Sequence, residues 1–220
     1  MGYCPMLLEK EIVKRIRMGY LLYLPDGYGK DADKRWPLVL FLHGAGQRGT
    51  DPDAIKIWGL PHRIEAGEQF PFIAVSPQCP EASSWDRQLE ALDALMEHMK
   101  MNYSIDEDRI YMTGLSMGGY GTWDYAMVHP ELFAAIAPVA GGATYPELVG
   151  VLADMPIWAF HGAKDTAVPA SESRMLVDML KELGGNIRFT LYPDAGHEVC
   201  SLAYEEKELY EWLLSQSKKQ

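Results

Sequence analysis

The chain alternates short, unbroken apolar runs with longer stretches whose apolar residues recur every three or four positions. Leu38-Val39-Leu40-Phe41-Leu42, Phe72-Ile73-Ala74-Val75, Arg109-Ile110-Tyr111-Met112-Thr113, Phe133 to Val139, Ile157-Trp158-Ala159-Phe160 and Ile187 to Leu191 are the short runs. Runs of this length with little polar interruption predict strands buried on both faces, as in a parallel sheet. Between them, Leu89, Leu92, Leu95, Met96 and Met99 keep a helical period within Trp85 to Met101. Met175, Leu176, Met179, Leu180 and Leu183 do the same within Ser171 to Leu183, with Gly184-Gly185 as the stop. Further helices are predicted through Leu60 to Ala66, from Tyr120 towards Val128, and from Leu202 to Leu214. At the amino end, Ile12 to Arg17 and Tyr20 to Leu24 flank Met18-Gly19 and read as an opening antiparallel pair. That brings the expected strand count to about eight. Strands alternating with helices predict an α/β domain over 1–220, a mostly parallel sheet with helices on both faces.

Chemistry in such sheets collects at the carboxyl ends of the strands. Gly114-Leu115-Ser116-Met117-Gly118 stands between a predicted strand and a predicted helix. A serine there sits on a turn so tight that only small residues fit two positions to either side, which lifts its hydroxyl clear of the sheet. Ser116 is therefore the candidate nucleophile, and Met117 N–H, at the start of a helix, the first candidate oxyanion donor. A nucleophilic serine needs a base, and the base an acid that holds its tautomer, in the chain order Ser, Asp or Glu, His. His197, in the turn after the last strand, is the candidate base. His161 precedes the acid, and His129 lies before Pro130 at a helix end. Asp165, in Gly162-Ala163-Lys164-Asp165 after the penultimate strand, is the candidate acid. Asp194 is too close to His197 along the chain to reach back, and Glu198 adjoins it. The glycine-rich His43-Gly44-Ala45-Gly46 after an early strand supplies the second oxyanion donor, Ala45 or Gly46. His43 itself is read as a structural ring that ties this loop.

Composition narrows the partners. Of 220 residues, 48% are hydrophobic and 23% charged, ordinary for a globular enzyme. A net charge of −11 repels a nucleic-acid backbone or an anionic membrane, so neither is expected as a partner. Cys4, Cys79 and Cys200 have no metal-ligand spacing and give no disulfide framework and no zinc site, and the serine chemistry expected here needs no metal or cofactor. The opening Met1 to Lys10 lacks the charged and apolar regions of a signal peptide, which favours the cytoplasm; a secreted parent with the signal removed is the alternative. Oligomeric state is left open.

The residues also carry a resemblance. Leu42-His43-Gly44-Ala45-Gly46-Gln47-Arg48-Gly49, Ser76-Pro77-Gln78-Cys79-Pro80, Thr113 to Trp123, Trp158 to Asp165 and Tyr192-Pro193-Asp194-Ala195-Gly196-His197 resemble α/β-hydrolases. The likeness is to compact bacterial esterases related to the prolyl-oligopeptidase catalytic domain, often labelled predicted peptidases or phospholipase/carboxylesterase-like proteins. It implies an α/β-hydrolase fold, the triad Ser116, Asp165 and His197, and carboxylic-ester hydrolysis. The chain departs from such relatives after His197. They often carry a small polar residue and a tryptophan there, and this chain has Glu198-Val199-Cys200.

The expected reaction is acyl transfer to water through an acyl-enzyme, weakening below neutral pH as His197 gains a proton. No insertion after Val139 is long enough for a lid domain, which favours small or short-acyl esters over long lipids. Gln78, Trp85 and Tyr145, on strand-end loops, are the candidate substrate contacts. If Trp85 and Tyr145 stack on an aromatic acid, phenolic esters such as feruloyl esters come into range; ordinary packing is the competing reading. A serine peptidase or aminoacyl hydrolase is the alternative activity, and a non-catalytic binding protein on a hydrolase scaffold the third.

Overall fold

The computed structural model describes residues 3–218, so Met1 and Gly2 of the amino-terminal reading lie outside the described residues. The elements run β1 (Tyr20–Tyr23), β2 (Trp36–Leu42), α1 (Gly59–Glu65), β3 (Ile73–Pro77), α2 (Leu89–Asn102), β4 (Ile105–Leu115) and α3 (Met117–Val128). They continue with β5 (Ala135–Val139), β6 (Ile157–Gly162), α4 (Ser171–Glu182), β7 (Ile187–Tyr192), α5 (Val199–Glu205) and α6 (Lys207–Ser215). The strands form one seven-stranded sheet in the order β1-β3-β2-β4-β5-β6-β7. Only β1 is antiparallel to its neighbour; every other pair is parallel.

The apolar runs became strands because both of their faces are covered. Every residue of β2 is buried. Leu38, Leu40 and Leu42 join the core with α2, α3 and α4, while Val39 and Phe41 join the other with α1, α5 and α6. This is period-two alternation hidden beneath uniform hydrophobicity.

Three expectations change. Among the described residues there are seven strands, not eight, because Ile12 to Arg17 form none. The only edge of β1 that pairs is the one against β3, with Tyr20 opposite Pro77 and Tyr23 opposite Ala74, and Met18-Gly19 closes no hairpin. Ile12 and Val13 stay 81% and 89% exposed, so no burial drives a second strand there. The helix expected from Trp85 is a short 3-10 turn, Trp85–Arg87, followed by α2. The closing helix begins earlier than Leu202 and breaks into α5 and α6 at Glu206, whose backbone is extended (φ −75°, ψ 111°). The Tyr192 hydroxyl donates to the Glu206 carboxylate at that break. Between β5 and β6 the chain forms one short 3-10 helix, Pro146–Leu152, and no lid.

Candidate active site

β4 ends at Leu115 and α3 begins at Met117, so Ser116 is the whole connection. Its backbone sits at φ 56°, ψ −118°, a region that L residues enter only under strain. Close packing holds it there. A Cβ on Gly118 would lie 1.9 Å from the Leu42 carbonyl oxygen, and one on Gly114 would lie 2.3 Å from the Gly118 carbonyl oxygen. Ser116 N–H bonds to Val139 O (2.9 Å) and Tyr120 N–H to Ser116 O (3.1 Å), fixing the turn from both sides. Below it, the Thr113 hydroxyl donates to Ala137 O (2.6 Å) and meets the fully buried Tyr204 hydroxyl at 2.9 Å.

The structure brings Ser116, His197 and Asp165 together from the ends of β4, β7 and β6. His197 Nδ1 lies 2.7 Å from Asp165 Oδ2, and Nε2 lies 3.0 Å from Ser116 Oγ. An ionised carboxylate can only accept, so the ring proton is on Nδ1 and the Nε2 lone pair faces the hydroxyl. The Asp165 side chain is fully buried, and 35% of the His197 side chain remains exposed. Burial alone would raise the Asp165 pKa. Hydrogen bonds from His197 and from the Val168 and Ala167 amides (2.9 Å each) outweigh it and hold the carboxyl below its ordinary value.

The other histidines are occupied. His161 is fully buried, its Nε2 donating to Val168 O (2.9 Å) and its Nδ1 2.7 Å from Ser173 Oγ. It pins the loop that carries Asp165. His129 lies 2.8 Å from Asp93, at the far end of α3. Asp194 is exposed and pairs with Lys164 (2.8 Å). The Glu198 carboxylate turns back to accept from Gly196 N–H (2.9 Å).

His43 ties the glycine-rich loop. Its Nδ1–H donates to Gly44 O (2.6 Å), its Nε2 accepts from Cys79 N–H (3.0 Å), and its carbonyl accepts from Trp85 Nε1–H (2.9 Å). Burial lowers its pKa to about 4; the Gly44 carbonyl opposes the shift and Arg48 adds to it. After it, Ala45–Gln47 form one 3-10 turn. Gln47 N–H bonds back to Gly44 O (3.3 Å), and Arg48 Nε–H holds Ala45 O (2.9 Å). The first amides of a helical turn have no acceptor within it. Those of Ala45 and Gly46, and that of Met117 at the head of α3, are the available donors beside Ser116.

Ser116, His197, Gly44, Ala45, Gly46 and Gln47 line one cleft of about 450 Å³, with Trp58, Leu115, Glu198, Cys200 and Ser201 as the rest of its wall. The three expected substrate contacts are not among them. Gln78 is buried, its amide donating to Gln47 O (3.0 Å) and Asp51 O (2.6 Å), so it braces the loop from behind. Trp85 is 1% exposed because its indole N–H is spent on His43 O; its edge borders a smaller cleft with Met117 and Tyr120. Tyr145 is exposed, ahead of the 3-10 helix Pro146–Leu152, and does not reach the cleft. A position after a strand places a backbone and leaves the ring's direction to its hydrogen bonds and neighbours. Trp58, which does line the cleft, lies outside every motif; the cue in the sequence is a tryptophan directly before a glycine in a loop.

No group of His, Cys, Asp and Glu among the described residues could hold a metal ion. No helix among them is long and apolar enough to cross a membrane.

The seven-stranded sheet with this strand–serine–helix turn defines an α/β-hydrolase. The chain belongs to the dienelactone hydrolase family, whose model matches residues 8–207. A poly(3-hydroxyalkanoate) depolymerase C of Paucimonas lemoignei is 33% identical over 135 residues, 54% of this chain but 30% of that protein. An acyl-protein thioesterase 1 of Neurospora crassa is 27% identical over 199 residues, 74% of this chain and 80% of that protein. The crystal structure of a thermostable esterase matches with a TM-score of 0.80 and 37% identity, over 91% of this chain and 60% of that one. The chain thus spans only part of the first of these relatives and of that esterase.

Proposed function

We propose that the protein is a serine carboxylesterase acting on small or short-acyl esters. The observation that carries the reading is the unbroken relay from Asp165 Oδ2 through His197 to Ser116 Oγ, at 2.7 and 3.0 Å. Membership of the dienelactone hydrolase family and the likeness to a solved esterase support it.

In this reading His197 Nε2 takes the Ser116 proton as Oγ attacks the ester carbonyl. The carbonyl oxygen becomes an oxyanion held by Met117 N–H and the amide of Ala45 or Gly46, donors whose orientation is set before the substrate arrives. Asp165 holds the Nδ1–H tautomer and stabilises the imidazolium that forms. The imidazolium then protonates the departing alkoxide, the C–O bond to the alcohol breaks, and an acyl-Ser116 remains. Water enters, gives its proton to Nε2, and attacks the acyl carbon; the returning proton frees Ser116 and the carboxylic acid leaves. The half-exposed His197 and the absence of a lid over β5 suit small esters, which need no covered tunnel.

The test is hydrolysis of p-nitrophenyl acetate, butyrate and decanoate, with fluorophosphonate labelling read by peptide mass spectrometry. The wild type should prefer the short esters and carry the label on Ser116. Ser116→Ala should lose both the label and activity, by about 10⁴-fold or more in kcat. Retained activity in Ser116→Ala, or a label on another residue, would refute the assignment.

A further inference from the structure

The chain holds six tryptophans. Trp36, Trp85, Trp123 and Trp158 are at most 5% exposed, whereas Trp58 is 49% exposed. A large apolar ring left half in water marks a binding surface when it also faces a cavity. Trp58 does so, on the wall of the cleft that holds Ser116 and His197.

Its position is built into the backbone. Trp58 is extended (φ −138°, ψ 159°), and Gly59 after it turns into α1 at φ 68°. A Cβ on Gly59 would come within 2.5 Å of the Phe41 ring, so glycine alone lets the chain turn this close to β2. Leu60 is then fully buried in the core beside Phe41 and Leu115, which anchors the start of α1. Trp58 thus stands on a fixed support at the cleft rim.

The rest of the wall says what kind of group it would face. Leu115 is apolar, and burial pushes the Cys200 thiol up to about 12, so it stays neutral. Glu198 is the one carboxylate among the lining residues, and no lysine or arginine lines the cleft to balance an anion. The 3-10 turn Ala45–Gln47, which carries the proposed oxyanion donors, lines the same cavity, so an acyl group on Ser116 would open into it. The volume of about 450 Å³ falls within the usual range for a small-molecule site.

We propose that Trp58 is the specificity-determining residue of this cleft, and that it takes a neutral, planar aryl group on the acyl side of the ester. The proposal rests on the esterase reading and narrows its substrate class. Stacking an aryl ring on the exposed indole face stabilises that acyl group beyond simple burial.

The experiment compares kcat/KM for methyl cinnamate (aryl acid), methyl butyrate (aliphatic acid) and benzyl acetate (aryl alcohol) in wild type, Trp58→Ala and Trp58→Phe. Trp58→Ala should lower the cinnamate value about tenfold, with the other two esters within about twofold, and Trp58→Phe should restore most of the loss. Equal loss on all three esters, or a loss confined to benzyl acetate, would overturn the proposal while leaving the esterase reading intact. A second readout does not need turnover. Methyl cinnamate should quench indole fluorescence in Ser116→Ala more strongly than in the double variant Ser116→Ala/Trp58→Phe. Equal quenching in the two would overturn the aryl site. Failure of the wild type to hydrolyse any of the three esters would instead count against the esterase reading, with the quenching still reporting on Trp58.

Discussion

Replacing His43 by glutamine removes one titratable ring from beside the 3-10 turn Ala45–Gln47 while keeping an acceptor near the position of Nε2. The native ring is 1% exposed and donates through Nδ1, so its Nε2 must stay unprotonated to receive Cys79 N–H. A second proton would meet that amide head on. The unfolded chain takes up this proton near 6.5 and the folded chain only near 4. Between those values the unfolded state binds more protons, so stability falls as pH falls. The full shift corresponds to about 3 kcal/mol, complete only below pH 4, and about 2 kcal/mol of it is lost between pH 7 and pH 5. Urea unfolding at the two pH values measures this directly. Wild type and His43→Gln will differ in absolute stability for packing reasons, so the informative quantity is the change with pH within each protein. His43→Gln should lose about 2 kcal/mol less than wild type over that interval. Parallel losses in the two proteins would refute the claim that this ring is held neutral by its place in the fold.

Asp165→Asn should leave the fold intact but let His197 adopt either tautomer, lowering kcat by about 10⁴-fold with little change in KM; a loss below tenfold would mean that the carboxylate does not orient the ring. Tyr204→Phe removes the hydroxyl 2.9 Å from Thr113 Oγ1 at a fully buried site, while Thr113 keeps Ala137 O as its acceptor. A loss of about 1 kcal/mol in urea unfolding is expected, with ester hydrolysis unchanged within about twofold.

How much was legible in advance differs from element to element. β2, β3, β5 and β6 appear as continuous apolar runs because a parallel strand covered on both faces has no polar side to show. Ser116 was legible because its turn is so compact that both the glycines and the flanking strand and helix are forced into the local sequence. His197 and Asp165 were candidates by chain order, in the loops that follow β7 and β6, and the structure brings both within hydrogen-bond reach of the Ser116 relay. Those inferences needed only local sterics, periodicity and the rule that chemistry gathers at one end of the sheet.

What the amino-acid order settled by itself was the alternation of strands and helices, the strained serine turn, and the short list of groups able to assist it. What only the tertiary structure decided was direction and contact. Trp85 and Gln78 sit on strand-end loops as expected, yet both turn inward, because an indole N–H and a side-chain amide beneath a loop find backbone carbonyls to bond. Trp58 faces the cleft because Gly59 turns the chain against Phe41, a contact between residues far apart in sequence. Ile12 to Arg17 stayed out of the sheet because no neighbouring segment buries Ile12 and Val13, although the outer edge of β1 is open, and the closing helix broke where Tyr192 holds Glu206. Periodicity records which residues are buried. Which neighbour buries them, and which way a ring then points, depends on chain segments that no local window contains.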